Sequence, residues 1–242
     1  MPSQNDAIYD QVWSDHESAF RLACFSIATQ RWEAIKACTT GMRFKRIIDL
    51  GCGNGCLLWW LQKVGFCESG VGVDANQMGI DVANKTFISP GLEYKCISPQ
   101  SPLTDLGKFD LAMSSHVLEH IGDPRQAVCA MSMLAPFQLH EVPLEKCMSL
   151  SALDVLGVRK YSNHIAGHVQ FWNKRSFVEM AESAGLSILR HHQYEATTSH
   201  LHTGSARSLA KRALLRLVGM DVYSKVFYTH YIVMARSGVS HA

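Results

Sequence analysis

The stretch "RIIDLGCGNGCLLWW" at residues 46–60 decides the fold. It begins as a short apolar strand, crosses Gly51, Gly53 and Gly55 at every second position, and resumes with apolar residues at helical spacing. A glycine-rich turn between strand and helix lets a ligand meet backbone N–H groups where a Cβ would collide. Working outward, strand-like runs at 70–74, 93–97, 109–115 and 138–144 alternate with helical stretches at about 56–65, 77–87 and 123–134. A helix over about 16–39 precedes the first strand, uninterrupted by Gly or Pro. After an irregular segment, a helix closed by Gly185 leads to strands at "LSILRHHQY" and at 226–236, seven strands in all. Right-handed crossovers put helices on both faces of a mostly parallel sheet, with the last strand antiparallel. Ligands in such sheets bind beyond the carboxyl ends of the strands.

Composition fits one α/β domain: 242 residues, 47% hydrophobic and 18% charged. With 23 Lys+Arg against 21 Asp+Glu the formal charge is +2, too small for a protein whose affinity rests on neutralising phosphates, so no nucleic-acid partner is expected. The start "MPSQNDAIYDQVW" lacks a basic region followed by an apolar one, and no apolar run reaches bilayer length. A cytoplasmic protein with no stable membrane insertion is expected, as monomer or homodimer. The eight cysteines include no C-x-x-C pair and read as reduced packing residues.

Two ligand classes compete for the glycine turn. A dinucleotide site prefers G-x-G-x-x-G, whereas here the third glycine comes one residue early. Asp49, just before the first glycine, would repel a pyrophosphate and attract an ammonium group. Asp74 ends the second strand, where a carboxylate can accept both hydroxyl hydrogens of a ribose. Taken singly these are turn and strand-end acids; together they describe a nucleoside carrying a cationic amino-acid tail.

These residues resemble the cofactor site of class I S-adenosylmethionine-dependent methyltransferases. "FDLAMSSHVLEHIGDP" (109–124) is similar to the fourth-strand motif of the small-molecule branch, and "GHVQFWNKRSFVEMAESAGL" (167–186) to its later His-and-aromatic segment. The resemblance implies a Rossmann-like fold, S-adenosylmethionine as cofactor and S-adenosylhomocysteine as product. It places Asp49 and Gly51 toward the methionine amino group, Gly53 and Gly55 at close approach, and Asp74 on the ribose. Cys52 and Ser115 fall in the same site, with Ala75 and Asn76 beside the adenine. Ser98 stands where the family commonly has an acid for the adenine amino group. "LAPFQLHEVPLE" lacks the glycine pair of many relatives, which alters that turn only. The whole chain reads as a single domain, with residues 1–42 as an N-terminal helical lid and 145–173 and 197–225 as substrate-side insertions.

Methyl transfer from a sulfonium is an in-line displacement, so the protein aligns the acceptor and excludes water. A hydroxyl acceptor also needs a base, and histidine titrates near working pH. His116, His120 and His168 are the candidates; His116 has the strongest positional claim, because in the family the fourth strand's end faces the methyl. Tyr9, Trp13, His164 and Trp172 are candidates for lining the acceptor pocket. Some quinone-type relatives place a divalent metal near a Glu-His pair such as Glu119 and His120, but two potential ligands do not make a site, and no metal is expected. The segment 205–220 places Arg207, Lys211, Arg212 and Arg216 opposite Leu209, Ala213, Leu214 and Leu217, an amphipathic helix expected to pack on the sheet.

The expected activity is methyl transfer to O or N of a small molecule in specialised-metabolite or cofactor biosynthesis. A peptide or other macromolecular acceptor remains an alternative, as does a non-catalytic S-adenosylmethionine-binding partner or regulator. A nicotinamide-dependent oxidoreductase is disfavoured by the glycine spacing.

Overall fold

The computed structural model describes residues 17–156, 167–195 and 206–238. The elements run α1 (Glu17–Cys38), β1 (Phe44–Leu50), α2 (Cys56–Lys63), β2 (Cys67–Asp74), α3 (Gln77–Thr86), β3 (Leu92–Cys96) and β4 (Leu111–Ser115). They continue with α4 (Pro124–Ser132), β5 (Phe137–Leu144), α5 (Met148–Val155), α6 (Lys174–Ser183), β6 (Leu186–Tyr194), α7 (Ala206–Val226) and β7 (Thr229–Ser237). Every strand and helix expected from the sequence is present, with ends shifted by a few residues, as frayed termini allow.

The seven strands form one sheet in the order β3-β2-β1-β4-β5-β7-β6. β1 to β5 are parallel, and β7 runs antiparallel between β5 and β6. The parallel strands are near-continuous apolar runs because both faces are covered. Successive residues feed opposite cores: Ile47 joins Ile35, Leu58 and Leu61 beneath α1 and α2, while Ile48 joins Val71, Val73, Ala112 and Met131 on the other face. Each such Val, Leu, Ile or Met side chain stabilises the fold by roughly 1.5–3 kcal/mol. A third cluster, with Leu118, Val142, Trp172, Phe177 and Tyr231, continues the core beneath α6.

β1 has β2 on one side and β4 on the other, so the chain leaves their adjacent carboxyl ends in opposite directions. That divergence opens the crevice where open α/β sheets bind ligands. α1 is fixed in place, since Ala28, Ala34, Ile35 and Cys38 are buried in the core.

α7 departs from expectation. Its apolar face was expected to bury against the sheet, yet Leu217 is 83% exposed and Leu214 is exposed as well. The reason is a break at Gly219, whose φ of 75° and ψ of 165° interrupt the helix. Beyond the break Tyr223 is buried and its hydroxyl donates to Glu195 at 2.7 Å, while Leu214 and Leu217 before it are exposed. Among the described residues no helix is long and apolar enough to cross a membrane.

Candidate active site

The glycine turn joins β1 to α2 with Gly51, Gly53 and Gly55 all at positive φ (68°, 54° and 76°), a conformation that costs other residues strain. A Cβ on Gly51 would strike the Val117 side chain, and one on Gly55 the ring of Tyr94. At Gly55 the close approach inferred from sequence is therefore made by the protein itself. Tyr94 holds the turn from outside, its hydroxyl donating to the Gly55 carbonyl at 3.3 Å.

Asp74 steadies the same turn. Its Oδ2 accepts from the Gly53 N–H and its Oδ1 from the Asn76 N–H, each at 2.8 Å. Each oxygen retains an acceptor site. Asp49 is different: only 2% exposed, with Oδ1 lacking any hydrogen-bond partner. Burial raises its pKa to about 8, helped by Asp74 and Glu141 against the pull of Arg31. A buried, unpartnered carboxylate oxygen beside a glycine turn is a receptor for a cationic donor. Cys52 is buried in the turn, Ala75 is exposed past β2, and Ser98 is exposed with its Oγ bonded to Gln100.

Beyond β4 lies a buried ionic network that sequence reasoning found only in part. Glu141, in β5, accepts from Ser115 Oγ at 2.5 Å and from the Tyr194 hydroxyl, and faces Arg31 Nε of α1 at 3.6 Å. Its Oε1 also lies 3.3 Å from His116 Nε2 and 3.4 Å from His230 Nδ1. The two ring nitrogens are themselves 2.8 Å apart, and His116 Nδ1 donates to Glu119 Oε1 at 3.0 Å. Burial opposes the charge on Glu141, but Arg31 and His116 hold it well below the usual carboxylate range. Burial likewise pulls His116 down, yet Glu141 and Glu119 outweigh it and lift its pKa to about 9. A protonated imidazole donates hydrogen bonds and does not accept a proton, so this environment works against His116 as a base at neutral pH. Its φ of 56° makes it the one non-glycine among the described residues with positive φ.

His120 titrates the other way. Burial lowers its pKa, against the attraction of Glu119, so the ring is neutral at pH 7 and able to accept a proton. His168 packs edge-on to it, ring centroids 4.8 Å apart, and donates from Nδ1 to Glu145 Oε2 at 2.6 Å. The two meet because the Glu119 carbonyl accepts from the N–H groups of Val169 and Gln170, docking that segment on the end of β4. Trp172, proposed for the acceptor wall, is instead a core residue packed against Phe177. Tyr9, Trp13 and His164 lie outside the described residues.

Arg31, Glu141, Tyr194 and His230 were not anticipated. One signal was available, in "QLHEVPL": a charged residue inside a strand that is otherwise buried needs a buried partner.

A methyltransferase-domain family model matches residues 29–191. The ubiquinone biosynthesis O-methyltransferase of Coxiella burnetii is 26% identical over 169 residues, covering 66% of this chain and 69% of that protein. Its namesake from Nitrosococcus oceani is 32% identical over 125 residues, covering 50% of this chain and 51% of that protein. Among solved structures, the N-methyltransferase NodS from Bradyrhizobium japonicum, in complex with S-adenosyl-L-homocysteine, is similar with a TM-score of 0.59 at 11% identity, over 98% of this chain and 100% of that one. The magnesium protoporphyrin IX methyltransferase of Synechocystis, also with S-adenosylhomocysteine bound, reaches 0.59 at 14% identity, over 97% and 95% of the two chains.

Proposed function

Since the chain belongs to the methyltransferase-domain family and is an S-adenosylmethionine-dependent enzyme, we propose that it methylates an oxygen or nitrogen of a small molecule in specialised-metabolite or cofactor biosynthesis. The cofactor suits the residues at the end of β1. Asp49 Oδ1, buried and unpartnered, answers its ammonium group, and the remaining acceptor sites of Asp74 answer its ribose hydroxyls. When bound, the cofactor supplies an electrophilic methyl group on a sulfonium. Gly51, Gly53 and Gly55 shape the turn on which its tail would lie, and Ala75 and Ser98 border the adenine.

An oxygen acceptor is the favoured form, because the sequence relatives are by name O-methyltransferases of ubiquinone biosynthesis. A hydroxyl must lose its proton as it is methylated, and His120 takes that role, its ring kept neutral by burial. His168, held by Glu145, steadies the His120 ring.

The observation that carries this reading is the orphaned carboxylate oxygen of Asp49. Calorimetric titration with S-adenosylmethionine and S-adenosylhomocysteine tests it. Asp74→Ala is expected to weaken binding by about 1.5–3 kcal/mol, the range for hydrogen bonds to a charged group; unchanged affinity would remove Asp74 from the ribose. Transfer of labelled methyl to a panel of phenols and amines then tests the acceptor class. Loss of transfer in His120→Gln, with cofactor affinity kept, is the expected result for a base.

A further inference from the structure

We propose that His116, Glu141 and His230 form a binding site for one divalent metal ion of the zinc class. The inference rests on the mutual placement of three ligand atoms and is independent of the acceptor. His116 Nε2, His230 Nδ1 and Glu141 Oε1 form a triangle with sides of 2.8, 3.3 and 3.4 Å. Ligands about 2.0–2.2 Å from a tetrahedral ion stand about 3.3–3.6 Å from one another. Two sides of the triangle already have that length. The third is a hydrogen bond between the imidazoles and needs to open by about half an ångström to admit an ion at those distances.

The chemistry of the donors agrees with the geometry. Two imidazoles and one carboxylate are the ligand set of open zinc sites, with a fourth position left for water or substrate. The outer shell is also built. His116 donates its other ring N–H to Glu119, the carboxylate–histidine arrangement that fixes the tautomer and orientation of a metal ligand. Glu141 is oriented by Ser115 through its second oxygen and by Tyr194. Arg31, facing that second oxygen, is a charge the ion must tolerate, and Glu119 offsets it. The ligands come from the end of β4, from β5 and from the start of β7, so the sheet holds them rigidly. A second trio, Glu119, His120 and His168, also offers three ligand atoms near one another. The first trio is preferred because two of its three donor separations are already those of a tetrahedral site and its outer shell is built.

The test uses the full chain, freed of metal with a chelator and titrated with Co²⁺ as a spectroscopic stand-in for Zn²⁺. One equivalent is expected to give a visible absorption band, which Zn²⁺ abolishes by displacement. Glu141→Gln and His230→Gln should each weaken the ion by more than about tenfold, at least the effect of losing an outer-shell partner, while His168→Gln leaves affinity unchanged. If either ligand variant loses its cooperative thermal transition, His230→Cys replaces it. A thiolate at that position adds a sulfur-to-cobalt charge-transfer band only if residue 230 touches the ion. Failure of the wild type to hold one equivalent overturns the proposal. So does binding that survives His230→Gln and is lost in His168→Gln, and so does a His230→Cys protein that binds cobalt with no sulfur band.

Discussion

Asp49 carries an opposition between stability and binding. Its pKa of about 8 lies above the ordinary carboxylate value of 3.8, so in the window between them the folded state holds a proton that the unfolded state releases. Stability is therefore intact below about pH 4 and falls as pH rises through about 8. Asp49→Asn removes this liability. Without cofactor, the variant should melt higher than wild type at pH 8.5 by more than about 3 °C, the equivalent of ~1 kcal/mol in a domain of this size. The gain should vanish near pH 4, while cofactor affinity falls at every pH; a variant that melts lower at pH 8.5 would mean the carboxylate already has an internal partner. Asp49, Asp74 and the three glycines were legible in the sequence because they fall within thirty residues and their spacing is local chemistry. His116 could be read from the sequence as a candidate, but the charges around it could not. Its protonation depends on Glu141 and Arg31, one 25 and the other 85 positions away in the chain.

β5 shows the same contrast at the scale of an element. Its run at 138–144 made the strand readable, but nothing in that run says how His140 and Glu141 at its centre are satisfied. The fold satisfies His140 completely. Ser114 Oγ donates to Nδ1 and Nε2 donates to Gln138 Oε1, both at 2.8 Å, and burial pushes its pKa down to about 3. A neutral buried histidine has its own linkage: the unfolded chain takes up a proton below pH 6.5 that the folded one refuses until about pH 3. This group should cost about 2 kcal/mol of stability between pH 7 and pH 5. Urea unfolding at the two pH values checks it. His140→Gln should be less stable at pH 7 but decline less steeply, and an equal slope in both proteins would locate the acid sensitivity elsewhere. α7 was misread for a different reason. Periodicity reports which side of a helix is apolar, and here the break at Gly219 decides whether that side reaches the sheet.

Across the whole molecule, the βα order dictated the sheet, because parallel neighbours and right-handed crossovers leave few arrangements. The buried network was not legible, since Arg31, His116, Glu141, Tyr194 and His230 come from five separate segments that meet only once the sheet has formed. Arg31 makes α1 part of that network, and it keeps 25% of its side chain in water. Arg31→Ala should therefore cost about 2–3 kcal/mol, less than the 3–5 of breaking a fully buried pair. Chemical denaturation measures this loss, and Arg31→Ala combined with Glu141→Gln should recover part of it. A double variant weaker than the sum of the singles would show that the Glu141 charge was stabilised from elsewhere.

β7 runs against its neighbours, so Thr229 pairs with Leu144 at the ligand-binding edge and Arg236 with Phe137 at the far edge. The site is thus reached where this strand begins, and Ser237 stands at the opposite side of the sheet. For anyone handling the protein, an affinity handle or fluorescent reporter joined after Ser237 sits a strand's length from the chemistry, whereas one placed just before Thr229 would stand at its entrance.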